Sequence, residues 1–242
     1  MIASSATVKG YAAIGANPFD PLESLDHIAA LKVDCDFIVV LYHGGKEHYR
    51  YPSPNLQKVC RKLVEKGADL VVCQPSHCVG CEEKYRGGTI VYGQGNFLFD
   101  LSSNECWRTR LLIKLNEDLS VFYLPLVKDG NKTRLAQDAD AEEILAGFKK
   151  RSQEITVEGF IDQKYAEFAA TMKNYYLYYF SGAKSQRIVG RLKRTSLGRR
   201  WINWVLRRKY KTKSRLAMWD FIECEAHREL FLAGISAEYK NK

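Results

Sequence analysis

Between Ile28 and about Lys128, short unbroken apolar runs alternate with stretches in which apolar residues recur every three or four positions. DFIVVLY (36–42), ADLVVCQ (68–74), the start of GGTIVYGQGNFLFD (87–100) and RTRLLIKL (108–115) read as strands, being short, apolar and rich in β-branched residues. Between the first two, SPNLQKVCRKLVEKG (53–67) sets Leu56, Val59, Cys60, Leu63 and Val64 on one helical face. Pro52 and Pro54 mark its start and Gly67 its stop. SLDHIAALK (24–32) is a second amphipathic helix. Strands alternating with helices predict an α/β fold with a parallel sheet. From about Ala139 onward the segments are amphipathic, rich in Tyr, Trp, Lys and Arg, and carry no strand pattern. The chain therefore divides into an α/β part, 1–135, and a helical basic appendage, 136–242.

The strand ends carry the candidate chemistry. The first ends in His43, Gly44 and Gly45, the second in Gln74 and His77, and the third in a Gly-Gln-Gly-Asn loop that reaches Asn96. In one parallel sheet these ends converge on the edge where α/β proteins bind ligands. Neutral imidazole and amide oxygen suit a divalent ion such as Mn, Fe or Zn, and a paired site could activate water while clamping a phosphoryl or carbonyl oxygen. The alternative is that each residue caps its own loop. Two residues without Cβ at 44 and 45 allow a sharp turn or a close backbone approach to an anion. His48 reads as a surface or substrate-loop residue, and His27 and His227 as structural. CQPSHCVGC places Cys73, His77, Cys78 and Cys81 close together, as at the start of a zinc site. No second Cys-x-x-Cys completes four ligands, which favours small buried thiols.

The chain has 242 residues and a formal charge of +9, enough material for a large core and a surface that attracts anions. No helix-turn-helix, zinc-finger or RNA-recognition signature accompanies the basic residues, so nucleic acid ranks last among the partners. No run approaches the roughly 18 apolar residues of a membrane span, and the first residues lack the layout of a secretory signal. Seven scattered cysteines, an odd number, favour a reducing, cytoplasmic setting. Residues 181–215 hold thirteen Lys and Arg and no Asp or Glu. Ile188, Leu192, Trp201, Trp204 and Val205 fall near helical spacing there, as in a helix that lies peripherally on an anionic membrane surface; packing onto the α/β domain is the other reading.

The joint order of LYHGGKEHYRYPSP (41–54), LVEKGADLVVCQPSHCVGCEEKYRGG (63–88) and IVYGQGNFLFD (90–100) resembles the carboxyl half of the CapA family, the bacterial capsule (poly-gamma-glutamate) synthesis proteins. The resemblance runs from roughly Gly15 to Val127. It implies a calcineurin-like metallophosphoesterase sandwich of two sheets flanked by helices, with a two-metal site at the strand ends. The implied chemistry is metal-assisted hydrolysis or transfer on a phosphate-bearing or amide substrate linked to an anionic capsule polymer. His43, Gly44, Gly45 and Glu47 match a His-x-Gly-x-Glu motif whose histidine is a metal ligand. His77 matches the last histidine of Gly-His-His-Pro-His, and Gly95-Asn96-Phe97 matches Gly-Asn-Phe. The resemblance thus assigns His43 and His77 to metal, Gln74, Asn96 and Glu47 to catalysis or its support, and Gly44, Gly45 and His48 to substrate.

Two departures bear on function. Cys73-Gln74-Pro75-Ser76-His77 puts an amide where the family has an imidazole, so divalent ions are expected to be weakly held. The family's Gly-Asp and Asn-Asn-His motifs occur nowhere in the chain, which implies a truncated product or fragment lacking the amino half of the fold, a half that a separately encoded partner could supply. The alternative is a non-catalytic module that attaches to an anionic membrane, a polymer or a partner chain.

Overall fold

One strand shows how the first part of the chain is organised. In β3 (Leu70–Gln74), Val71 and Cys73 join one apolar cluster while Leu70 and Val72 join another, because successive side chains leave opposite faces of a sheet. A strand covered on both faces reads as a continuous apolar run, as LVVC does. The computed structural model describes residues 2–5, 19–74, 76–97, 105–181 and 195–240.

Around β3 lies a five-stranded sheet of order β1-β2-β3-β5-β4, with β1 Ile2–Ser5, β2 Val39–His43, β4 Glu82–Tyr85 and β5 Gly88–Val91. β1, β2, β3 and β5 are parallel, and β4 returns antiparallel on the edge. Helices α1 (Glu23–Leu31) and α2 (Pro54–Glu65) supply Ile28, Leu56, Cys60, Leu63 and Val64 to the cluster on the Val71 face. Pro54 opens α2, as the sequence predicts, and Ser53 caps it by accepting from Leu56 N at 3.1 Å. The other face meets a three-stranded antiparallel sheet, β6 (Thr109–Leu115), β7 (Val121–Asp129) and β8 (Lys132–Leu135), through Leu111, with Ile144 and Phe148 of α3 (Asp138–Glu154). The result is mixed α/β with two sheets, as the alternation of strands and helices leads one to expect.

Asp69 sets the relative height of β2 and β3: its carboxylate accepts from Ile38 N at 2.8 Å and from Lys32 Nζ at 2.9 Å. Glu83 ties β4 to α2, accepting from Arg61 Nε at 2.8 Å, and it also takes the Tyr92 hydroxyl at 2.6 Å.

The chain separates into two compact units, Met1–Ala166 and Glu167–Lys242. Sequence composition alone places the change near residue 135. The compact division falls later because α3 delivers Ile144 and Phe148 to the core of the first unit, and Ile155 and Ile161 follow them. The described residues of the second unit are helical: the later part of α4 (Phe160–Phe180), α5 (Ser196–Lys209), α6 (Thr212–Glu223) and α7 (Glu225–Lys240). Its core is Leu177, Tyr178, Ile202, Leu206 and Tyr210.

Candidate functional site

Parallel pairing puts the sequence-predicted residues on one edge. His43 closes β2 and is the register partner of Gln74, which closes β3. Beyond β5 the chain passes through Gly93 and Gly95, at φ +141° and +80°, to Asn96. This loop is fastened to the second sheet, since Leu111 N donates to Gln94 O at 2.8 Å and Gly95 bridges to Arg110. His43, Gln74, His77 and Asn96 consequently line one cleft of about 410 Å³ together with Arg110 and Phe97.

His77 and Asn96 act as a pair. His77 Nδ1 lies 2.5 Å from Asn96 Oδ1, and an amide oxygen only accepts, so Nδ1 carries the proton. Nε2 is then the nitrogen with the lone pair, the tautomer a metal or proton-accepting histidine needs. His77 itself has φ +59°, a strained backbone that histidine tolerates better than most residues. Its ring stacks 5.4 Å from Trp107, which lies 6.0 Å from the ring of His48.

The remaining expected residues lie off the cleft wall. His48, also at φ +59°, is tied by its N–H to Ser76 O at 2.8 Å and joins the stack. Glu47 is exposed. Gly45 has φ +126°, a turn that favours glycine, and Gly44 packs where a Cβ would overlap the ring of Tyr42. These local demands account for both glycines.

Arg110 is the residue that sequence reasoning missed. It is 2% exposed, donates from Nε to Asn96 O and from Nη2 to Trp107 O at 3.3 Å, and its Nη1 is buried with no partner among the described residues. Burial holds its pKa below the usual arginine value. The Nδ2 of Asn96 is likewise buried and without a partner among the described residues. The cleft is therefore lined by a buried cation, Arg110, beside the imidazoles of His43 and His77, an arrangement complementary to an oxyanion. The only sequence signal was a charged residue on an otherwise apolar strand, a pattern that ordinarily marks a solvent face.

All seven cysteines are thiols. Cys60 and Cys73 Sγ atoms lie 3.4 Å apart in the core, Cys78 shares a hydrogen bond with Cys106, and Cys81 is fully buried. Burial pushes the Cys60 and Cys81 thiols up, and for Cys78 the bond to Cys106 does so before burial. Thiols held protonated are poor metal ligands. Among the described residues no three His, Cys, Asp or Glu side chains converge on one point.

Residues 5–101 match the family described as "Bacterial capsule synthesis protein PGA_cap". Relatives include the PGA biosynthesis protein CapA of Bacillus subtilis (strain 168), 34% identical over 96 residues, which are 38% of this chain and 25% of the relative. The capsule biosynthesis protein CapA of Bacillus anthracis is 36% identical over 69 residues, 28% of this chain and 17% of the relative. The chain thus covers a quarter or less of the length of these curated relatives. The segment that matches the capsule synthesis family holds His43, Gln74, His77 and Asn96, while Arg110 lies beyond it.

Proposed function

We propose that this chain serves capsule-polymer synthesis by binding an anionic group, carboxylate or phosphoryl, in the His43–His77 cleft, with the fold a partial metallophosphoesterase sandwich. One observation carries the reading: Arg110 lines the same cleft as the His77–Asn96 pair, is buried, and its Nη1 has no hydrogen-bond partner among the described residues. Leaving a buried guanidinium nitrogen unsatisfied costs stability, and such groups persist where a ligand supplies the acceptor.

The donor set fits a single, weakly held divalent ion. His43 and His77 would hold it and Gln74 would offer an amide oxygen, with no carboxylate on the wall among the described residues to add charge. The positive charge of Arg110 opposes a second ion. A bound ion would supply Lewis-acid polarisation of a ligand oxygen. The chain's own residues do the rest: Asn96 orients His77, Arg110 takes the anion, and the ring of Trp107 shields one side of the imidazole.

Calorimetric titration of the full chain with Mn or Zn tests this. The expected result is one weak site, lost in His43→Ala and in His77→Ala, and weakened at least tenfold by Asn96→Leu, which frees the imidazole to rotate. Two tight sites, or binding indifferent to both histidines, would refute it.

A second reading, attachment to an anionic membrane, rests on α5. Its Ile202 and Leu206 enter the helical core, but Trp201 and Trp204 remain 53% and 51% exposed, with Arg208 4.2 Å above the Trp204 ring. The sequence grouped Trp201, Trp204 and Val205 on one face; the structure leaves both tryptophans exposed and Val205 half-buried, and sends Ile202 and Leu206 to the core instead. Ile188 and Leu192, which share that expected face, lie outside the described residues. Among the described residues no helix is long and apolar enough to cross a membrane. Exposed tryptophans beside cations suit the lipid interface. Co-sedimentation with vesicles containing anionic lipid should show salt-sensitive binding, reduced several-fold in Trp201→Ala/Trp204→Ala. Equal binding to neutral vesicles, or an unaffected double variant, would count against this role.

A further inference from the structure

A second cavity, of about 460 Å³, lies in the same unit and shares no lining residue with the His43 cleft. Five cations stand on its wall: Arg50, Arg108, Lys128, Arg134 and Arg151. Two carboxylates, Asp140 and Glu143, accompany them, which leaves an excess of three positive charges.

The fold assembles these charges from separate elements. Arg108 and Lys128 sit at the paired end of β6 and β7, where Lys128 N donates to Arg108 O at 2.9 Å. Arg134 lies on β8 opposite Val127, and Arg151 comes from α3. Arg50 and Arg151 are anchored on consecutive carbonyls, with Arg50 Nη1 on Val79 O at 3.2 Å and Arg151 Nε on Gly80 O at 2.7 Å. Burial, and after it the charge of Arg50, holds Arg151 below the usual arginine value. Two guanidinium groups are thus fixed close enough to repel. Neither Arg108 nor Arg151 makes an ion pair among the described residues, and Arg134 reaches Asp129 only at 3.8 Å. In α3, Gly147 occupies a helix interior that favours alanine, and a Cβ there would stand 3.1 Å from Arg151 Nη1. The glycine leaves room for the guanidinium beside the cavity.

We propose that this cavity binds a compact polyvalent oxyanion, bearing phosphate or carboxylate groups, on the Arg50–Arg151 pair, with Arg108, Lys128 and Arg134 completing the charge balance. Guanidinium forks match both kinds of oxyanion, and an anion between the two arginines converts their repulsion into a shared attraction. The site stands independently of the His43–His77 reading, and most of its lining lies beyond residues 5–101.

The test is calorimetric titration of the full chain, at constant ionic strength, with inorganic pyrophosphate in one arm and citrate in the other. Binding in either arm supports the site, and the arm that binds more tightly names the source of the anion. Arg151→Gln should weaken binding about tenfold, as loss of a charge-assisted contact does. Arg108 and Arg134 are exposed, so Arg108→Gln/Arg134→Gln keeps the fold and should weaken binding comparably. Glu143→Gln should tighten it, roughly twofold to fivefold, a gain that misfolding cannot mimic. Arg207→Gln/Arg208→Gln in α5 should leave it unchanged. Absence of binding in both arms overturns the proposal, as does binding that follows the α5 variant and ignores the cavity variants.

Discussion

Raising the pH beyond about 10 is expected to unfold the α/β unit cooperatively. Tyr92, 2% exposed, donates its hydroxyl to Glu83 at 2.6 Å, Tyr123 donates to Glu82, and Tyr51 donates to Glu154 at 2.6 Å. Burial raises the pKa of all three above the ordinary tyrosine value, and the neighbouring carboxylates add to it. The folded chain therefore keeps protons that the unfolded chain loses above about pH 10. Stability is full below that pH and falls as pH rises, by about 1.4 kcal/mol per unit for each fully buried tyrosine. Tyr92 and Tyr123 together give about 3 kcal/mol per unit, and the more accessible Tyr51 adds less. Against a total stability of about 5–15 kcal/mol, this brings unfolding within two to four units. Circular dichroism and tyrosinate absorbance should change together, and Tyr92→Phe should move the midpoint upward. Gradual ionisation near pH 10 with intact secondary structure would contradict the argument.

Gly95→Ala is expected to cost about 3 kcal/mol and to abolish the metal titration as His77→Ala does. At φ +80° any Cβ is strained, and here it would also lie 2.7 Å from the Thr109 carbonyl oxygen, which belongs to β6 and cannot swing away. Relief requires the loop to leave the second sheet, which carries Asn96 from His77 and removes the carbonyl that holds Arg110 Nε. Gly130→Ala is the control, with φ +57° in the β7–β8 turn and no atom within 4 Å of the added Cβ. It should cost only about 1 kcal/mol. Equal denaturation midpoints for the two variants, with metal binding retained in both, would show that the loop can yield.

What was legible in the sequence follows from which forces act locally. Helix α2 announces itself through Pro52, Pro54 and Gly67 because starts and stops are short-range chemistry. β2 and β3 are legible because burial on both faces leaves uninterrupted apolar runs. β4 was missed: EEKY is polar, and it is a strand because Glu83 and Tyr85 find partners on α2 and β5 pairs beside it. β7 carries Pro125, which argues against an inner strand. The strand ends of β2 and β3 located His43 and Gln74 correctly on one edge, since parallel pairing follows from the α/β order. Arg110 was invisible because its place in the cleft depends on the docking of the 94–96 loop against β6, a contact between distant segments.

The two-sided burial of β3 has a further effect on the cleft. Sliding β3 by one residue against β2 would exchange Val71 and Cys73 with Leu70 and Val72, emptying and overfilling both apolar layers at once. The level of Gln74 beside His43 is therefore gauged by packing several residues below it, where no ligand reaches. Cleft geometry in this protein is inherited from the core, and volume-preserving changes at Leu70 to Val72 form the background against which substitutions at the strand tips can be read as chemistry alone.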